Sequence, residues 1–123
     1  MKIRIKDNSI RLRLTKTDVD ELKNKYNVSC KTVISGTEVF EYTLRIAADI
    51  QSISASFSDW KITITLPSAE AKTLTDTNEI TVKGWQDNGE EEHLFLLIEK
   101  DLQCLDETEE DQGDMYENPK TAC

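Results

Sequence analysis

The residues that could do chemistry in this chain are few and scattered. His93 is the only histidine, so no multi-histidine metal site can be assembled, and any Cys/His or Ser/His pair would have to be built around this one ring. It follows Glu90-Glu91-Glu92 at the start of an apolar run, the setting of an ordinary strand-edge histidine beside carboxylates. The three cysteines, Cys30, Cys104 and Cys123, are odd in number and form no C-x-x-C pair, which argues against a disulfide framework and fits a reducing compartment. Cys104 reads as a small buried apolar group and Cys123 as an exposed terminal thiol. The four glycines (Gly36, Gly84, Gly89, Gly113) are isolated, so no phosphate-cradling loop or dinucleotide fingerprint is present. A calcium loop threaded on Gly113 puts Thr108, Glu110 and Gln112 at its first ligand positions and Pro119 where a bidentate Glu belongs, and fails at both ends. No catalytic residue, no metal-ligand set and no cofactor site is therefore expected.

What remains is charge. The opening MKIRIKDNSIRLRL alternates cations with apolar residues, although the 123-residue chain carries a formal net charge of -9. Residues 1–46 hold ten Lys/Arg against six Asp/Glu, net +4, whereas residues 47–123 hold five against eighteen, net -13. Such asymmetry speaks to partners and solubility rather than to fold. A two-residue turn at Asp7-Asn8 pairs Ile5 with Ile10 and Ile3 with Leu12, and the same register sets Arg4 opposite Arg11 and Lys2 opposite Arg13 on the other face. Like charges placed opposite one another are mildly destabilising, so Lys2, Arg4, Lys6, Arg11 and Arg13 form a candidate surface for an anion or a partner. A solvated sheet face is the plain alternative.

The elements that position this hairpin follow from periodicity. Thr17-Asp18-Val19-Asp20 reads as a helix start, and Val19, Leu22 and Tyr26 at helical spacing give one helix over 17–26. Period-two alternation marks strands over 28–34, 38–46, 52–57, 60–66, 79–85 and 92–99. A turn at Ser58-Asp59 would pair Phe57 with Trp60 and Ala55 with Ile62, placing Trp60 on the core side. Ser68 to Leu74 is a candidate short helix after Pro67. Trp85 lies on the opposite parity from Ile80 and Val82, which makes it the candidate interface aromatic. Leu94-Phe95-Leu96-Leu97-Ile98 is apolar on both faces, as in a central strand or one covered by a partner. No internal repeat is evident. The expected fold is α+β: a mostly antiparallel meander of about eight strands, open to partial closure as a barrel, with one α-helix after the second strand. Residues 1–105 would form this domain and 106–123 an acidic C-terminal tail that cannot bury enough apolar surface to order alone, with Met115 and Tyr116 as its candidate anchors.

The opening MKIRIKDNSIRLRLTKTDVD, the segment LFLLIEKDLQCLD and the acidic stretch running into ENPK together resemble a family of short, uncharacterised bacterial proteins, a domain of unknown function, over nearly the whole chain from Met1 to about Lys120. The resemblance implies a single intracellular domain, carries over no catalytic residues, and implies that the segment 99–118 belongs to the protein's design. From the residues themselves no signal-peptide core and no membrane-length apolar run is found, and a cytoplasmic location is expected. The expected function is a non-enzymatic interaction or accessory module, in which the basic hairpin and the acidic tail complement each other or a protein partner, including a second copy of the chain. The competing expectation is a binding protein or enzyme in which Arg11, Arg13 or Arg45 grips a small anionic ligand in a sheet pocket. Nucleic acid is disfavoured by a pI near 4.6 and by the lack of aromatics within the hairpin.

Overall fold

The computed structural model describes residues 1–102. The expectations for Cys104, Cys123 and the acidic segment with Met115 and Tyr116 lie outside the described residues.

β1 (Lys2–Lys6) and β2 (Ser9–Leu14) form the first hairpin in the expected register, Arg4 opposite Arg11 and Lys2 opposite Arg13. Asp7 takes the positive φ of 48° that so tight a turn demands, a conformation aspartate tolerates better than most residues. α1 (Lys16–Lys25) begins one residue earlier than the expected 17–26, because Thr15 caps it. Asp18 N–H donates to Thr15 Oγ1 at 3.2 Å, and Thr15 N–H donates to Asp18 Oδ2 at 2.9 Å, a reciprocal capping box. There follow β3 (Asn27–Ser35), β4 (Glu38–Ala47), β5 (Ser54–Ser58), β6 (Lys61–Pro67), α2 (Ser68–Asp76), β7 (Thr81–Gln86) and β8 (Leu94–Lys100).

The single antiparallel meander is not what forms. The strands make two four-stranded mixed sheets: sheet A in the order β1-β2-β8-β7 and sheet B in the order β3-β4-β6-β5. Each sheet joins two antiparallel hairpins through a central parallel pair, β2 with β8 and β4 with β6. Among the described residues there are two helices rather than one, and no closed barrel. Alternation and turn chemistry identify hairpins, but which hairpin lies beside which is decided by long-range burial. The run Leu94–Ile98, apolar on both faces, must occupy a central place, and β2 brings Ile10, Leu12 and Leu14 alongside it.

One β5/β6 detail also differs. Asp59 and Trp60 are the two turn residues, at φ 51° and 62°, so Phe57 pairs with Ile62 and Ala55 with Ile64. The shift of two positions preserves the faces, but Trp60 leaves the core side and stands 70% exposed.

Leu12, Leu14, Leu22, Leu44, Ile64, Leu66, Leu74, Leu96 and Ile98 are fully buried, drawn from both sheets and both helices. The plan is a repeat. β1-β2-α1-β3-β4 and β5-β6-α2-β7-β8 share one topology, and exchanging them turns the order of sheet A into that of sheet B. At a spacing of 52 positions, Ile10, Leu12, Leu14 and Leu22 correspond to Ile62, Ile64, Leu66 and Leu74, every one of them buried. The sequence hid the repeat because few positions outside the core match, the turn residues Asp7 and Asp59 among them.

Candidate functional site

The outer face of sheet A gathers the hairpin cations and Trp85 that the sequence singles out. Alternation along each strand and register across them set three rows. Lys2, Arg13, Glu99 and Thr81 form the first, Arg4, Arg11, Leu97 and Lys83 the second, and Lys6, Ser9, Phe95 and Trp85 the third. All five hairpin cations expected to share a surface therefore do so. The second hairpin adds Lys83 and an apolar strip of Phe95, Leu97 and Trp85. The Trp85 and Phe95 rings lie 5.1 Å apart and tilted by 41°, with Trp85 62% exposed.

Glu99 is the acid on this face. Its carboxylate receives Arg13 Nε at 2.7 Å and Arg11 Nε at 3.6 Å, so one negative charge serves two guanidiniums. Lys2 Nζ reaches Asp101 at 3.3 Å. Arg4, Lys6 and Lys83 have no carboxylate within 4 Å among the described residues. Two depressions, of about 190 and 210 Å³, open on this face, and both are lined by Arg4 and Arg11. A third, of about 430 Å³, lies where the Asp7-Asn8 turn meets Trp85 and His93.

A second polar cluster sits where β1 approaches β3. The Met1 ammonium donates to Asp18 Oδ2 at 2.8 Å, and Tyr42 O–H donates to the Met1 carbonyl at 2.8 Å, with the half-buried Cys30 thiol 3.7 Å from the same oxygen. Burial works to raise the Asp18 carboxyl, but the hydrogen bonds from the ammonium and from Thr15 outweigh it and hold the carboxyl below its ordinary value of 3.8. The ammonium is held above 8.0: burial disfavours its charge, and Asp18 more than offsets that. Burial, followed by the neighbouring Cys30, raises the Tyr42 phenol. This arrangement ties a strand end to a helix cap.

His93 is exposed, with Nε2 4.0 Å from Asp87. No group of three or more His, Cys, Asp or Glu among the described residues could hold a metal ion. Arg45 does not join Arg11 and Arg13, because it lies on β4 in the other sheet, beside Asn27 and Thr65. Three residues of the site went unread: Phe95 and Leu97, whose signal was the doubly apolar run, and Lys83, which shares the parity of Trp85.

A protein-family model described as a family of unknown function (DUF7009) matches residues 1–120. The chain belongs to that family. No curated protein matches the chain, and no solved structure matches it. For this DUF7009 chain the site must therefore be argued from its own residues. No helix among the described residues is long and apolar enough to cross a membrane.

Proposed function

We propose that this protein is a non-enzymatic interaction module that holds an acidic, extended polypeptide across the outer face of sheet A, in a cytoplasmic setting. The observation that carries the reading is the second row: Arg4, Arg11 and Lys83 stand in register with Leu97, next to Phe95 and Trp85. Residues 1–102 as a whole hold fourteen Lys/Arg against seventeen Asp/Glu, net -3, so these cations are concentrated on one face rather than spread.

Magnitudes decide what the ligand must contain. Exposed ion pairs contribute about 0.2–1 kcal/mol each, so the three cations without carboxylates supply roughly 3 kcal/mol at most. Ordering a peptide costs about 1–2 kcal/mol per residue. Charge alone does not hold it. Covering about 100 Å² of the apolar strip adds roughly 2.5 kcal/mol at 25 cal/mol per Å², so the ligand needs an aromatic or aliphatic anchor among its acids. A nucleic-acid strand is less well served. The overall charge of -9 opposes a polyanion, and the two rings of the strip pack on each other instead of standing apart for successive bases.

The test is a fluorescence titration of the full chain with a labelled acidic peptide carrying one Tyr, alongside a single-stranded oligonucleotide. The peptide should bind in a salt-sensitive way, and Arg4→Glu/Arg11→Glu should abolish that binding. Tighter binding of the oligonucleotide would sink the polypeptide reading. A small anion is the second reading, favoured by the two arginines shared between the 190 and 210 Å³ depressions; inorganic phosphate displacing the peptide at millimolar concentration would support it.

A further inference from the structure

The described chain ends beside this face. Asp101 N–H donates to the Leu14 carbonyl at 2.8 Å and its carboxylate pairs with Lys2, so the backbone leaves sheet A at the corner where Lys2 and Arg13 stand. Residues 103–123 then carry seven Asp/Glu against one Lys, net -6, which is two thirds of the charge of the whole chain. Resting on the reading of this face as a site for acidic polypeptide, we propose that its resident occupant is the chain's own segment 106–117, bound in cis and displaced by a partner of the same chemistry.

Reach, charge and anchors all agree with that occupant. Asp106, Glu107, Glu109, Glu110 and Asp111 come first along the chain and meet the cationic rows first. Met115 and Tyr116 follow, thirteen and fourteen residues beyond Leu102. A thirteen-residue segment has an r.m.s. span of about 20 Å. The distance along β8 from Asp101 back to Phe95 is six residues, also about 20 Å at the rise of a strand. The two anchors thus reach the Phe95–Trp85 strip when the acids lie over Arg13, Arg11 and Arg4. Outside this segment, the face's own carboxylate is Glu99, already shared by two arginines, so Arg4, Lys6 and Lys83 remain for the tail to neutralise.

Tethering makes the occupancy appreciable without high affinity. A short linker holds its ligand at an effective concentration of about 1 mM, so an intrinsic dissociation constant near 100 µM blocks the face about tenfold against an outside competitor. The device is a self-masking surface that opens to a partner with better anchors or more charge.

The experiment uses the full chain throughout, with a fluorescein-labelled peptide of the sequence 105–120 as probe. The unchanged chain is compared with the neutralised variant D106N/E107Q/E109Q/E110Q/D111N and with M115A/Y116A. The buried core of the described residues runs from Ile10 to Ile98, and all of these changes lie beyond it in the sequence. Both variants should bind the probe about tenfold more tightly than the unchanged chain, and the gap should close as salt is raised. Equal, tight binding by all three proteins overturns the self-masking and leaves the acidic-polypeptide site standing. Binding by none of them removes the site itself, and the occupant with it. A dimer of the unchanged chain that separates in both variants overturns the cis arrangement and assigns the segment to a second copy.

Discussion

In sheet A the central row of the outer face reads Arg4, Arg11, Leu97, Lys83; in sheet B the row at the equivalent place in the repeated topology reads Ser56, Thr63, Thr43, Ser29. Beneath them the buried positions match: Leu12 answers to Ile64, Leu14 to Leu66, Leu22 to Leu74 and Val28 to Val82. The same backbone plan is therefore built with a cationic, partly aromatic surface on one side and a row of hydroxyls on the other, where Ser29 and Thr43 meet at 2.7 Å. Folding constrains the inner residues of both sheets and leaves the outer rows open. The row of hydroxyls shows that this architecture forms without cations at those central positions.

The widest prediction tests whether the halves are one cooperative unit. Leu12→Ala and Ile64→Ala both empty fully buried equivalent positions, and each should cost about 2–5 kcal/mol in urea unfolding. A single transition with similar losses is expected, because each sheet completes the core of the other. Two separable transitions would break the comparison at its root.

Equivalent positions can still be packed differently. Gly84 corresponds to Cys30, but a Cβ on Gly84 would come within 2.5 Å of Ile53 Cγ2, and Ile53 is buried. Gly84→Ala should therefore destabilise by about 1–3 kcal/mol, through overpacking. Cys30→Ala, which only trims a half-buried thiol, should cost less. Calorimetry of the pair reads the asymmetry directly. The two junctions between the sheets differ in the same sense: Gln86 bridges to β5 through both amide atoms, at 2.6 and 2.9 Å to Ala55, whereas the residue before β1, Met1, accepts at its carbonyl from Cys30 of β3 and Tyr42 of β4.

The capping carboxylates sharpen it further. Asp18 accepts from Thr15 and from the Met1 ammonium, while Glu70, its counterpart on α2, has a buried Oε2 without a hydrogen-bond partner among the described residues. The Asp18 carboxyl titrates below its unfolded value, so its contribution is complete above that value and fades as pH falls through the lower folded one. Asp18→Asn should cost about 1 kcal/mol at neutral pH and flatten the acid limb of the stability curve. Glu70→Gln should move neutral stability by less than about 0.5 kcal/mol. Equal losses would mean that the hydrogen bonds of Asp18 are not what stabilises α1.

How much of this could be read beforehand follows from where the information lay. The first hairpin was legible because its turn and both of its faces are local, and the exposure of Trp85 followed from parity. Trp60 was misplaced because parity does not reveal which two residues will take positive φ. Sheet order was illegible for a deeper reason: the pairing of β2 with β8 joins residues more than eighty positions apart, and only the doubly apolar run of β8 hinted at it. For that reason the site was half seen. Its cations sit on one hairpin, but the apolar strip that completes the candidate surface arrives from the far end of the described chain.

The smallest effect on folding is expected where the effect on binding should be large. Arg4→Ser/Arg11→Thr copies the sheet B residues onto sheet A and removes a pair of like charges set opposite each other, so stability should change by less than about 0.5 kcal/mol and in the favourable direction. Binding of the acidic peptide should nonetheless fall at least tenfold. The reverse graft, Ser56→Arg/Thr63→Arg, separates charge from surface. It gives sheet B the guanidiniums, but the positions equivalent to Phe95 and Trp85 are Glu41 and Lys31, so no apolar strip accompanies them. Because exposed ion pairs do not offset the ordering of a peptide, the grafted face should bind no better than the unchanged one. If it did bind as tightly as sheet A, two arginines in register would be sufficient, and the role assigned to Trp85, Phe95 and Leu97 would have to be given up.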